Sequence, residues 1–142
     1  MNILKYKIIA VELKERLKTS RLQSNDDNWA CTPDFNLGNN DNGDIIQNLD
    51  FTIVRTKKTH RGIMVVRTSF LLTLGSKEYE PTTEEDFEIY TLFAQLGMAH
   101  ARAFFVKESN GTPFAGDLLR MESNVDIKKR MVIGLHINRN RN

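Results

Sequence analysis

Ile9, Val11, Leu13 and Leu17 alternate with Glu12, Lys14, Arg16 and Lys18. A period of two sends apolar side chains to one face of a strand and polar ones to the other, so a first half-buried strand is predicted here. Residues 10–18 are also good helix formers, which keeps a helix open as the competing reading. Residues 24–28 and 38–44 are rich in Asn, Asp and Gly, which favour turns through local hydrogen bonds and tolerance of positive φ. Between them, residues 31–37 have room for only a short extended piece. Leu49, Phe51 and Ile53 then alternate with Asp50 and Thr52, and Met64, Val66, Phe70, Leu72 and Leu74 recur at even positions. Two strands are predicted, joined as an antiparallel hairpin by the polar residues 57–62, with Gly62 supplying the backbone angles of the reversal.

Pro81 stops the sheet pattern, and Thr82 with Glu85 has the spacing of a capping box, so a helix is predicted to begin near Thr83. Acidic residues crowd its first turn and Lys107 lies near its other end, which agrees with the helix dipole. Phe87, Tyr90, Ala94, Gly97, Ala101 and Phe104 recur at three and four residues along one face. Leu92, Leu96, Ala99, Ala103 and Val106 do so along an adjacent one, so the helix is apolar over a wide arc. Asn110 and Gly111 end it, Pro113 blocks simple continuation, and a shorter helix is expected over about 115–121. Gly97 and Ala101, one turn apart, leave a shallow groove that suits either a contact between subunits or packing on the chain's own sheet.

Composition narrows the class. With 142 residues the chain fits one domain with a real core. Its longest apolar runs fall far short of the roughly 20 residues a spanning helix needs, and its first residues lack the apolar stretch of a secretory signal. Membrane insertion and export are therefore not expected. Cys31 is the single cysteine, which rules out an intramolecular disulfide and fits a reducing, cytoplasmic compartment. The net charge of +2 is small, but it is unevenly spread. Arg55, Lys57, Lys58, Arg61 and Arg67 form a basic stretch, residues 78–88 an acidic one, and Lys128, Lys129, Arg130, Arg139 and Arg141 a basic tail.

No Gly-rich phosphate loop, nucleophile elbow or metal-spaced cysteine set occurs. His60, His100 and His136 are far apart in sequence, and the carboxylates of 78–88 are explained by helix capping. No enzyme activity, metal or cofactor is expected. Apolar residues on irregular segments are the better candidates. Trp29, Phe35 and Leu37 lie in a turn-rich region, and Phe114, Leu118, Leu119 and Met121 follow the long helix. Such residues serve either as groove walls for extended peptides or as lids that seal the core.

Trp29 followed by Pro33-Asp34-Phe35-Asn36-Leu37, and Ala99-His100-Ala101-Arg102-Ala103 leading to Gly111-Thr112-Pro113-Phe114, together with the order of predicted elements, resemble the SecB family of export chaperones. The likeness covers roughly residues 3–122. It implies an α+β fold in which an antiparallel four-stranded sheet is followed by a long helix and a shorter carboxy-terminal one. It divides the chain into a SecB-like chaperone domain, 1–124, and a basic tail, 125–142. It further implies an ATP-independent chaperone that holds unfolded polypeptides in apolar grooves and hands them to a translocase motor. Trp29, Phe35, Leu37, Phe114, Leu118, Leu119 and Met121 match the groove regions. Assembly as a homo-oligomer, a dimer of dimers through the long helices, would use Tyr90, Ala94, Gly97 and Ala101. SecB proteins of the export pathway are acidic whereas this chain is slightly basic, and SecB-like proteins also protect antitoxins, so export and toxin–antitoxin roles are both open. The rival readings are a nucleic-acid-binding module using the basic hairpin 57–67, with Tyr79 and Phe51 the nearby aromatics for stacking bases, and a structural assembly protein of the same fold.

Overall fold

The computed structural model describes residues 3–41, 44–75, 84–120 and Asp126. Strands β1 (Ile3–Arg21), β2 (Asn28–Asp41), β3 (Asp44–Lys57) and β4 (His60–Leu74) precede one long helix, α1 (Glu84–Glu108). The sheet order is β1-β4-β3-β2 and every neighbouring pair is antiparallel. β2 to β3 and β3 to β4 are hairpins. Residues 22–27 carry the chain from one edge strand to the other across the end of the β3–β4 hairpin, where the Leu22 amide donates to the Thr59 carbonyl at 2.7 Å.

Both central strands alternate as their patterns predict. Ile45, Leu49, Phe51 and Ile53 of β3 and Met64, Val66, Phe70 and Leu72 of β4 are buried on one face. α1 lies across that face and contributes Tyr90, Phe93, Ala94, Met98, Ala101 and Phe105 to the same core. Phe70 and Phe93 stack with ring centroids 4.0 Å apart. Polar groups on this face are partnered: the Tyr90 hydroxyl donates to Gln47 Oε1, and Thr68 Oγ1 lies 2.8 Å from His100 Nδ1. The other face carries Arg67 hydrogen-bonded to Asp50 through two nitrogens and Ser69 donating to Asn48.

The first strand is confirmed against the helical reading, and it runs longer than its alternation. β2 is fourteen residues where only a short piece is expected. Its inward positions are Trp29, Cys31, Pro33 and Phe35, and its Asn, Asp and Gly residues stand on an edge strand that, among the described residues, is bonded to β3 alone. The reversal between β3 and β4 is made by Lys58 and Thr59, with φ of 49° and 67°. Gly62 is instead a packing glycine inside β4, since a Cβ there would meet Phe114 at 2.8 Å and Leu17 at 2.9 Å.

Tyr90, Ala94, Gly97 and Ala101 all face their own sheet. A Cβ on Gly97 would lie 2.5 Å from Leu49 Cδ2, so the small residues of this stripe let α1 approach β3. This corrects the expectation that the four line an interface between subunits. Of the neighbouring stripe, Leu92, Ala99, Ala103 and Val106 are exposed, whereas Leu96 is half-buried against the core. After α1 the chain makes successive turns over residues 109–116, with Gly111 and Gly116 at φ of 78° and 85°, and no helix forms in the described part of 115–121. The expected capping residue Thr82, and all of the tail 125–142 except Asp126, lie outside the described residues.

Candidate functional site

At the end of the sheet that holds the β3–β4 turn, three segments converge: the 22–27 crossover, the start of β2, and the chain after α1. The sequence brings them together through one residue. Arg55 continues the inward alternation of Leu49, Phe51 and Ile53, so its guanidinium enters the edge of the core with its side chain only 7% exposed. A buried cation must be paired. Arg55 Nε donates to Asp117 Oδ2 at 3.1 Å, and Nη1 donates to Asp27 Oδ1 and to the carbonyls of Asn28 and Thr56. The guanidinium carbon sits 4.8 Å from the centroid of the Trp29 ring, the cross-strand neighbour of Arg55. This is a cation–π contact.

Lys57 Nζ reaches the other oxygen of Asp117 at 2.9 Å. Burial alone would raise the Asp117 pKa, but its hydrogen bonds to Lys57 and Arg55, with their charges, outweigh that and hold the carboxyl below its ordinary value. Asp117 thus ties the post-helix segment to β3, while Asp27, its side chain 74% exposed, ties down the crossover from the solvent side.

Between these ties opens a groove of about 560 Å³, walled by Trp29 and Leu118 and edged by Asp27, Arg55, Asp117 and Arg120. Trp29 packs edge-on against Phe105 at 5.1 Å, which fixes the ring from behind. Leu118 is 55% exposed.

The expected groove residues divide by environment. Trp29 and Leu118 meet here. Phe35 and Leu37 lie on the same face of β2, with Leu37 eight residues from Trp29 and therefore about 26 Å further along the edge. Phe35 is half-buried against Tyr90, its ring 4.8 Å away, and Leu37 is 46% exposed. Phe114 and Leu119 are buried in the core, Phe114 beneath Gly62 and beside Phe105, so these two seal the fold and offer no surface to a ligand. Met121 lies outside the described residues. The polar half of the groove, Asp27, Arg55, Asp117 and Arg120, is not among the expected site residues. The one signal for it was an arginine at an inward position of an apolar alternation.

The basic stretch also changes character. Arg55 and Lys57 are engaged by Asp117 and Arg67 by Asp50, leaving Lys58 and Arg61 as the exposed cations at the hairpin end. Among the described residues no group of His, Cys, Asp and Glu is placed to hold a metal.

No family model and no curated protein matches the sequence. Among solved structures, the Mycobacterium tuberculosis Rv1957 SecB-like chaperone, in complex with a ChAD peptide from the Rv1956 HigA1 antitoxin, superposes with a TM-score of 0.52. It is 13% identical, and the match covers 83% of this chain and 88% of that one. A Streptococcus agalactiae protein of unknown function matches with a TM-score of 0.55 and 12% identity, over 82% of this chain and 97% of that one. The four-stranded antiparallel sheet followed by one long helix is thus a SecB-like fold.

Proposed function

We propose that this protein is an ATP-independent holding chaperone that binds extended segments of non-native polypeptides along the β2 edge and in the Trp29–Leu118 groove. The observation that carries this reading is the row of partly open apolar side chains Leu37, Phe35 and Trp29 on an edge strand whose outer side pairs with no other strand among the described residues, with Leu118 of the post-helix segment at its end. An extended peptide laid there gains backbone hydrogen bonds from the edge and apolar contacts from alternate side chains. The solved neighbour bound to an antitoxin peptide supports clients of the antitoxin kind over export substrates, and so does the slightly basic charge. In this reading the protein works in the cytoplasm, carries out no chemical step and needs no translocase motor.

Assembly belongs to the same proposal. Leu92, Leu96, Ala99, Ala103 and Val106 follow each other at intervals of four and three, the spacing of a helix-packing seam. All but the half-buried Leu96 are exposed, and β1 adds Leu4, Tyr6, Ile8, Ile9 and Val11 as further exposed apolar residues, with Tyr6 reaching Phe93 of α1 at 4.9 Å. A second copy of the chain would cover both. Nucleic-acid binding is the weaker reading, because carboxylates engage Arg55, Lys57 and Arg67.

The test is suppression of aggregation of several unrelated unfolded proteins without nucleotide. Leu37→Ser with Leu118→Ser, both at exposed positions, should weaken capture several-fold while circular dichroism and thermal unfolding stay native. Undiminished capture by the folded double variant would remove the β2 edge as the client site.

A further inference from the structure

We infer that the groove selects client segments in which an acidic side chain stands next to an apolar one. This rests on the holding reading and adds to it a chemistry of selection that the apolar walls alone do not contain.

Arg55 uses its nitrogens unequally. Nε and Nη1 are occupied by Asp117, Asp27 and two backbone carbonyls, whereas Nη2 meets no acceptor among the described residues. The side chain is more than nine-tenths buried and lines the groove, so a fixed cation with one nitrogen still without an acceptor among the described residues is within a client's reach there. A carboxylate is the acceptor that satisfies such an edge best, since a charge-assisted hydrogen bond to a planar guanidinium is short and strong. Arg120, exposed at the rim, has no ion pair among the described residues and adds a second cation.

Charge balance points the same way. The groove and its ties hold Arg55, Lys57 and Arg120 against Asp27 and Asp117, one positive charge in excess. Leu118 and the Trp29 ring lie in the same groove, so an apolar side chain and a neighbouring carboxylate would be held together. Asp27 matters most for the mechanism. It is the exposed partner of Arg55, and a client carboxylate would compete with it for the guanidinium.

Trp29 is the only tryptophan, and it stacks on Arg55, so its fluorescence reports occupancy directly. Two ten-residue probe peptides, acetylated and amidated so that no terminal charge remains, would contain Leu, Phe and Ser with either two Glu or two Gln. The Glu peptide should bind about tenfold tighter at low salt, and 0.5 M NaCl should remove most of the difference. Arg120→Gln should shrink the preference. Asp27→Asn should raise affinity for the Glu peptide and leave the Gln peptide unchanged, a gain that a merely structural role for Asp27 would not produce. Equal binding of the two peptides by the wild-type protein would overturn the inference and leave the holding reading standing. If neither peptide binds while aggregation is still suppressed, the inference also falls alone. If aggregation is not suppressed either, both fall.

Discussion

Gly97 of α1 lies so close to Leu49 of β3 that a Cβ on the glycine would stand 2.5 Å from the leucine Cδ2. Helix propensity alone predicts that Gly97→Ala stabilises the protein by about 1 kcal/mol. Overpacking a fully buried contact costs about 1–3 kcal/mol and should win. Urea unfolding is therefore expected to show Gly97→Ala as mildly destabilised and Gly97→Leu as more so. A stabilised alanine variant would mean that α1 does not seat on β3 through this residue.

Lys58 and Thr59 make the β3–β4 reversal with positive φ at both positions. Two-residue loops of this kind favour Asn-Gly, because other residues strain in the left-handed region by about 1–2 kcal/mol each. Lys58→Asn with Thr59→Gly should raise the urea midpoint by an amount worth about 1 kcal/mol, after the entropy that glycine adds to the unfolded chain. A lowered midpoint would show that the turn is held by contacts of the native side chains.

β3, β4 and α1 were legible because each has one clean period and one buried face. The long β2 was not, since Asn36, Gly38 and their neighbours carry turn propensity, and only pairing with β3 overrides it; a Cβ on Gly38 would come within 3.1 Å of Ile46. The site was half legible. In the sequence Trp29 and Leu118 stand out as apolar residues in turn-rich or post-helix segments, but so do Phe114 and Leu119, and nothing local tells a lid over the core from a groove wall. By charge alone Arg55 groups with the hairpin cations, and only its parity sets it apart. Its place in the alternation of Leu49, Phe51 and Ile53 turns it inward, where it gathers Asp27 and Asp117 from segments 28 and 62 residues away.

The outward stripe of α1 gives an assembly test that leaves the core alone. Leu92 and Val106 are exposed, so Leu92→Glu with Val106→Glu should not disturb the sheet. Placing carboxylates in an apolar seam between two copies should shift the assembly toward monomer, read by light scattering at matched concentration. A native chain that is monomeric at high micromolar concentration, or an assembly indifferent to the double variant, would remove this seam.

His100 makes the stability of the fold depend on pH. Its ring is partly buried beneath α1 with Nδ1 against the Thr68 hydroxyl, and burial lowers its pKa from the ordinary 6.5. The unfolded chain therefore takes up this proton more readily than the folded one, so stability increases with pH wherever the two differ. The contribution is complete above about 6.5 and is lost as pH falls from there toward the folded value. Thermal unfolding measured from pH 7.5 to 5.0 should show a falling midpoint below about 6.5, and His100→Gln, which keeps a polar partner for Thr68 without the titration, should flatten that part of the curve. Asp117 titrates below its own ordinary value of 3.8 and leaves this window clear. An unchanged slope in the glutamine variant would assign the acid sensitivity to another group.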